Sequence, residues 1–170
     1  RRVLFRSRWR GRVRPRRRIA VGPGQICTVV ATLVDTNVLV YRVDPRFPDK
    51  QQRATDVLRR GIEADALWVP HQAVIEFFAV VTRPLGSGPA LLGTVDAIAE
   101  TEAILGQFRI LYPDEQVIRT ALRGMAAYGL SWFDAHLWAY ADALGLEEII
   151  SEDFQAGRTY GSVRIVNPFA

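Results

Sequence analysis

Four carboxylates in this 170-residue chain stand among apolar neighbours. They are Asp35 in Leu-Val-Asp-Thr-Asn, Glu76 in Val-Ile-Glu-Phe-Phe, Asp134 in Ser-Trp-Phe-Asp-Ala and Asp153 in Ile-Ile-Ser-Glu-Asp-Phe. A carboxylate in such surroundings loses hydration and needs a compensating partner. Carboxylates gathered at one place most simply share one or two cations, and their hard oxygen atoms select Mg²⁺ or Mn²⁺ over zinc. A site of this kind can cut phosphodiesters, because the metal activates water and stabilises the charged phosphate.

Three of the four carboxylates also have a plain structural interpretation. Asp35 and Asp134 could be helix caps, a common role for this residue type. Glu76 could be an exposed residue on an amphipathic helix. Glu152 competes with Asp153 for the same role, since the two are adjacent.

The elements that must position these residues alternate between strands and helices. Apolar segments predict strands at residues 31–40, 66–69, 109–111, 148–151 and 163–166, the first of them broken by Asp35-Thr36-Asn37. Helical periodicity predicts helices between the strands. This order predicts right-handed βαβ units and an α/β fold, a three-layer α/β/α sandwich with a central, mostly parallel sheet. Asp35 and Asp153 then follow strands, where sites in parallel sheets collect.

Composition narrows the class of protein further. The single cysteine, Cys27, excludes an internal disulfide framework and a cysteine-based zinc site, and favours a reducing cytoplasm. No run of 18 apolar residues appears, so we expect no membrane span.

The four motifs, in this order and at these spacings, resemble a PIN domain, and more narrowly the VapC-type toxin ribonucleases of toxin–antitoxin pairs. The resemblance covers about residues 31–169. It implies a metal-dependent endoribonuclease whose Asp35, Glu76, Asp134 and Asp153 bind Mg²⁺ or Mn²⁺ and catalyse hydrolysis, leaving a 5′-phosphate. It also implies a homodimer and a cognate antitoxin that blocks the acidic site. The family's Thr/Ser-x-Asp motif selects Asp153 over Glu152.

Other residues are candidates for supporting roles. Thr36, Asn37 and Ser151 are expected to contact the metal-binding carboxylates. Four arginines could face an RNA backbone or could be solvated surface residues; they are Arg42, Arg46, Arg83 and Arg158. His136 is expected to be a core or rim histidine, and His71 to be structural. The aromatic residues near the motifs are expected mainly in the core.

Two other functions remain open at this point. One is a non-catalytic PIN-like module that binds RNA or a protein. The other is a phosphatase with an aspartyl nucleophile, although that class typically has a second Asp where this chain has Asn37, and the only lysine is Lys50.

The N-terminal segment differs sharply from the rest of the chain. Residues 1–18 contain ten arginines and no acidic residue, which leaves 12 basic and 18 acidic residues in 19–170, a net charge of −6. Such a segment could bind nucleic acid, but dense like charge also opposes folding. The chain does not begin with Met, and the family resemblance begins near residue 30. We therefore expect residues 1–29 to be a basic arm, disordered or non-native, and residues 30–170 to be the nuclease domain.

Deleting residues 1–29 should leave a domain that unfolds cooperatively, because the dense positive charge of the arm opposes its folding with the rest of the chain. Thermal unfolding of the deleted and full-length chains measures this. Loss of a cooperative transition in the deleted chain would show that the arm belongs to the fold.

Overall fold

The computed structural model describes residues 30–170, and the basic arm, 1–29, lies outside the described residues. The strands are β1 (Thr32–Val34), β2 (Leu67–Pro70), β3 (Arg109–Leu111), β4 (Glu148–Ile150), β5 (Thr159–Tyr160) and β6 (Val163–Val166). The helices are α1 (Thr36–Val43), α2 (Pro48–Glu63), α3 (His71–Thr82), α4 (Thr94–Gln107), α5 (Glu115–Tyr128) and α6 (Trp132–Leu144).

The strands form one sheet in the order β3-β2-β1-β4-β6-β5. Every neighbouring pair is parallel except β5 with β6. The strand order changes direction at β1: β2 and β3 are added on one side of it, and β4 and β6 on the other. Open parallel sheets hold their ligands at such a point, beyond the carboxyl ends of the strands.

Alternate residues of the central strands enter two separate cores, which makes the architecture three-layered. Leu33 and Ile149 pack with α5 and α6, whereas Val34 and Ile150 pack with helices α1 to α4. This two-residue alternation is what a strand buried on both faces requires. The predicted α/β/α sandwich with a mostly parallel sheet is confirmed.

The expected strand over residues 31–40 is wrong in its second half. Only Thr32–Val34 is extended, and Thr36–Val43 is α1, with Asp35 as its N-cap. The apolar run after Asp35 reads equally well as a strand or a buried helix, and the capping aspartate decides in favour of the helix. The two-residue strand β5 was missed, because so short a segment has no periodicity.

The end of α5 and the start of α6 determine where Asp134 lies. Each helix ends at a glycine in the left-handed conformation, Gly129 with φ 66° and Gly145 with φ 64°. Gly124 also lets the two helices approach closely, since a Cβ there would lie 2.6 Å from Trp138 Cε3. Ser131 then caps α6, so Asp134 falls in the first turn of that helix, as expected.

The register of β1 on β4 brings two of the motifs together. Val34 pairs with Ile150, and the Asp35 amide donates to the Ile150 carbonyl at 3.1 Å. Asp35 and Ser151 are therefore neighbours at the carboxyl edge of the sheet.

Across residues 30–170, none of the helices combines the length and apolar content that a bilayer crossing requires.

Candidate active site

A cavity of about 610 Å³ opens at the carboxyl edge of the sheet, and all four carboxylates line it. Asp35 comes from the β1–α1 junction, Glu76 from α3, Asp134 from α6 and Asp153 from the segment after β4. The structure thus brings together four residues that lie up to 118 residues apart in the sequence.

Asp35 is held by donors from both flanking motifs. Its carboxylate accepts from the Thr36 amide at 2.6 Å, from Ser151 Oγ at 2.5 Å and from Asn37 Nδ2 at 3.0 Å. Burial raises the pKa of Asp35 to about 6, and the charges of Asp153 and Glu76 act in the same direction against the hydrogen bonds. The residue is both the cap of α1 and part of the cavity, so the two interpretations of Asp35 are compatible.

Asn37 joins the first motif to the last. Its Nδ2 lies 3.0 Å from Asp35 Oδ2, 3.2 Å from Ser151 Oγ and 3.1 Å from Asp153 Oδ2. Ser151 Oγ also accepts from the Asp153 amide at 3.1 Å. One neutral amide thus lies between two carboxylates that would otherwise repel each other.

Glu76 is fixed by two neutral donors. Thr36 Oγ1 donates to Glu76 Oε2 at 2.8 Å, and Gln72 Nε2 donates to Oε1 at 2.8 Å. The expected supporting residues Thr36, Asn37 and Ser151 therefore all contact carboxylates of the cavity. Gln72 was not anticipated, because only the three-dimensional structure shows where its amide points.

Asp134 lies in the opposite wall, where it forms a reciprocal cap with Ser131. Ser131 Oγ donates to Asp134 Oδ2 at 2.8 Å and accepts from the Asp134 amide at 3.2 Å. Asp142, eight residues further along α6, is exposed and does not line the cavity. Of these two acids, only Asp134 is available to the site.

Glu152 and Asp153 point to different partners. Glu152 pairs with Lys50, whose Nζ also lies 3.1 Å from the Tyr41 hydroxyl. The rings around this ammonium, which we call the Lys50 aromatic group, belong to Tyr41, Phe47 and Phe169, with centroids at 4.4, 5.7 and 5.6 Å. The hydrogen bond from Lys50 lowers the pKa of Glu152 despite its burial. Asp153 alone of the pair lines the cavity.

The four candidate arginines fall into two groups. Arg46 and Arg83 line the cavity, whereas Arg42 pairs with Glu100 at 2.5 Å and Arg158 lies over the Tyr160 ring at 4.7 Å. Asp44 accepts three hydrogen bonds from Arg46, so that guanidinium is already engaged.

The aromatic residues are mostly core, as expected. Phe77, Trp138 and Tyr140 are buried, while Trp132 is partly exposed. Phe133 was not singled out from the sequence, yet it is 63% exposed at the cavity wall. Its position directly before Asp134 was the available signal.

The two histidines have different surroundings. His71 contacts the Tyr112 ring with centroids 5.1 Å apart, which fits a structural role. His136 is half-buried, and its Nδ1 lies 2.5 Å from Gln72 Oε1. Burial lowers the pKa of His136, although the charge of Glu76 opposes that effect.

The next question is whether the oxygen-rich lining of the cavity suits a divalent cation. Within residues 30–170, no three Asp, Glu, His or Cys side chains already lie in a metal-binding arrangement. The cavity nevertheless offers four carboxylates, and Asn37 Oδ1 is buried without a hydrogen-bond partner in that part of the chain. Hard oxygen donors of this kind fit Mg²⁺ or Mn²⁺.

Replacing Asp35 with Asn should leave the metal-free protein equally or more stable near pH 7, by up to about 3 kcal/mol. A raised pKa means that the native state holds this proton more tightly than the unfolded chain. The contribution of Asp35 to stability therefore falls as the pH rises from 3.8 to about 6. The difference between Asp35→Asn and the parent should widen across that window and stay constant above it. Denaturant unfolding at several pH values, in chelator, measures it.

Asp44→Asn provides the opposite control. Asp44 is 1% exposed, and its hydrogen bonds with Arg46 lower its pKa, so its stabilising effect is present at neutral pH and is lost in acid. Asp44→Asn should lower stability near pH 7. An Asp35→Asn protein that is also clearly less stable there would mean that the charged cap outweighs the cost of burying Asp35 near other carboxylates.

Several solved structures are similar to this chain over most of its length. The toxin–antitoxin complex from Klebsiella pneumoniae contains a chain with TM-score 0.59 and 19% identity, covering 81% of this chain and 97% of that one. FitAB bound to a DNA fragment gives TM-score 0.61 and 22% identity, covering 82% and 96%. VapC20 of Mycobacterium tuberculosis, described as a toxin that cleaves the sarcin-ricin loop, gives 0.52 and 14%, covering 72% and 89%. At these identities the likeness concerns the fold.

No curated protein matches this sequence. The family model of the PIN domain, however, matches residues 32–161, which include all four carboxylates and nearly every element of the sheet. The chain therefore belongs to the PIN domain family.

Proposed function

We propose that this protein is a metal-dependent endoribonuclease and the toxin of a type II toxin–antitoxin pair. The observation that carries the proposal is the meeting of Asp35, Glu76, Asp134 and Asp153 in one cavity. Membership of the PIN family supports nuclease chemistry, and structural neighbours that are toxin–antitoxin complexes support an antitoxin partner. A cytoplasmic location is part of the same proposal.

The four carboxylates would hold one or two Mg²⁺ or Mn²⁺ ions. Such an ion, when bound, supplies charge neutralisation and activates water for attack on phosphorus. The chain's own residues prepare the site: Thr36 orients Glu76, while Asn37 and Ser151 orient Asp35. Burial, together with the charges of Asp153 and Glu76, raises the pKa of Asp35, and a bound cation would favour its ionised form.

The rim of the cavity offers contacts for RNA. Arg83 is exposed and forms no ion pair among residues 30–170, so it is available to a phosphate. Exposed Phe133 could stack on an unpaired base, which is how proteins commonly bind single-stranded RNA.

Protein partners belong to the same proposal. The acidic cavity suits an antitoxin arginine, because carboxylates bind guanidinium groups in two-pronged pairs. The exposed apolar residues Ile118, Leu122 and Met125, spaced four and three apart on α5, support a homodimer, since such a surface is usually covered.

The aspartyl phosphatase is the weaker alternative. Asn37 stands where that chemistry needs an acid, and its amide is already bonded to both Asp35 and Asp153. Lys50 is paired with Glu152 and does not line the cavity, so it is not placed to bind a phosphate there.

The purified protein should cleave single-stranded RNA when Mg²⁺ or Mn²⁺ is present, and chelation should stop the reaction. Asp35→Asn and Asp134→Asn should each lower kcat by about 100-fold or more, because each removes a proposed cation ligand. Gel analysis of end-labelled RNA measures the rate and the expected 5′-phosphate ends. Asp142→Asn, on the same helix as Asp134 but outside the cavity, should retain full activity.

Two results would overturn the nuclease proposal, one from the RNA assay and one from a phosphate ester substrate. RNA binding without cleavage under any divalent metal would favour the non-catalytic module. A covalent acyl-phosphate on Asp35 with a phosphate ester substrate would favour the phosphatase.

Arg83→Ala should weaken RNA binding and reduce the slope of log K against log salt by about 0.7, the value for one lost phosphate contact on a single strand. Fluorescence anisotropy at several salt concentrations measures it, in an Asp134→Asn background that prevents cleavage. Arg158→Ala, which removes an arginine away from the cavity, should leave the slope unchanged. Equal effects of the two variants would contradict an RNA contact at Arg83.

A further inference from the structure

One side chain joins the two walls of the cavity. Gln72 lies in the first turn of α3, four residues before Glu76, and its amide nitrogen donates to Glu76 Oε1 at 2.8 Å. Its carbonyl oxygen lies 2.5 Å from His136 Nδ1 on α6. The hydrogen-bonded chain therefore runs from α6 to the carboxylate carried by α3.

The direction of every hydrogen bond in this chain follows from Glu76. An ionised carboxylate only accepts, so Gln72 must offer its NH₂ group to it. The Gln72 carbonyl then faces His136, and His136 must donate from Nδ1. In a neutral ring, which carries one N–H, that bond selects the Nδ1–H tautomer.

The surroundings of His136 agree with this assignment. Nε2 is buried and has no hydrogen-bond partner among residues 30–170, so a proton there would gain nothing. Trp132 stacks on the ring at 5.8 Å with an interplanar angle of 15°, and Tyr140 meets it edge-on at 5.1 Å. The imidazole is thus a fixed anchor. Its two nitrogens are occupied or enclosed, which makes a role as general base unsuitable.

We propose that Gln72 and His136 are positioning residues that hold the Glu76 carboxylate towards the bound cation, with His136 as the Nδ1–H tautomer. The inference rests on the proposed function and deepens it. An ordinary helix-surface pair is the alternative, and the chain contains one for comparison: Gln52 Nε2 donates to Asp56 Oδ2 at 3.0 Å on α2, four residues apart and outside the cavity. What distinguishes Gln72 is its second partner, His136, 64 residues away.

The first experiment measures the tautomer directly in the metal-free full-length protein. Nitrogen-15 NMR of the imidazole should show Nδ1 protonated and Nε2 unprotonated at neutral pH. In Gln72→Met this preference should be lost, since the acceptor is gone. A ring protonated on Nε2 in the parent protein, or an unchanged tautomer in Gln72→Met, would overturn the proposal.

The second experiment measures Mn²⁺ affinity by calorimetry, with the melting temperature as a check on folding. Gln72→Met and His136→Leu should bind Mn²⁺ about 10–100-fold more weakly than the parent, as expected when a group that orients a metal ligand is removed. His136→Asn should restore most of the affinity, because its amide nitrogen lies as many bonds from Cα as Nδ1 does. Gln52→Met is the matched control and should bind normally.

Equal Mn²⁺ affinity for Gln72→Met and Gln52→Met would refute the positioning role, and so would failure of His136→Asn to exceed His136→Leu. The expected tautomer and the expected Mn²⁺ affinities, in a protein that cleaves no RNA, would support the positioning role. That result would count only against the proposed nuclease activity.

Discussion

The pairing of β1 with β4 is the constraint on which the site depends. It places Leu33 beside Ile149 and Val34 beside Ile150, and the residue after each strand, Asp35 or Ser151, then lies at the carboxyl edge of the sheet. A shift of one residue would exchange the side chains that face the two cores. The register that buries the apolar residues is therefore the same register that joins Asp35 to Ser151 and Asn37. Stability of the sheet and geometry of the site cannot vary independently.

Neutral donors, not cationic side chains, hold the carboxylates in place. Thr36, Asn37, Ser151 and Gln72 supply hydroxyl and amide groups, whereas the nearby cations Lys50 and Arg46 are engaged by Glu152 and Asp44. A hydrogen bond from a neutral group orients a carboxylate but leaves its charge. Negative charge thus accumulates in the cavity, which is the condition that makes a small multivalent cation a favourable guest.

Local patterns predicted the sheet, the four carboxylates and their order, because burial and capping leave marks on neighbouring residues. The boundary at Asp35 was less accessible, since Val38, Leu39 and Val40 suit a strand as well as a helix. Tertiary partners were out of reach. The pairing of Lys50 with Glu152 and the contact of His136 with Gln72 join residues that are far apart in the sequence, so no local pattern indicates either one. The metal-binding role of the acids and the RNA-binding role of Arg83 remain predictions.

The Lys50 aromatic group has a practical consequence for handling the protein. Phe169 is next to the last residue of the chain, and Arg53 Nη1 donates to the carbonyl of Ala170 at 2.8 Å. Phe169 contacts Lys50, and Lys50 pairs with Glu152, which is the residue directly before Asp153. A substitution at Phe169 would therefore remove one ring from the Lys50 aromatic group and risks disturbing the cavity edge beside Asp153, so changes to this segment need the same care as changes to the cavity itself.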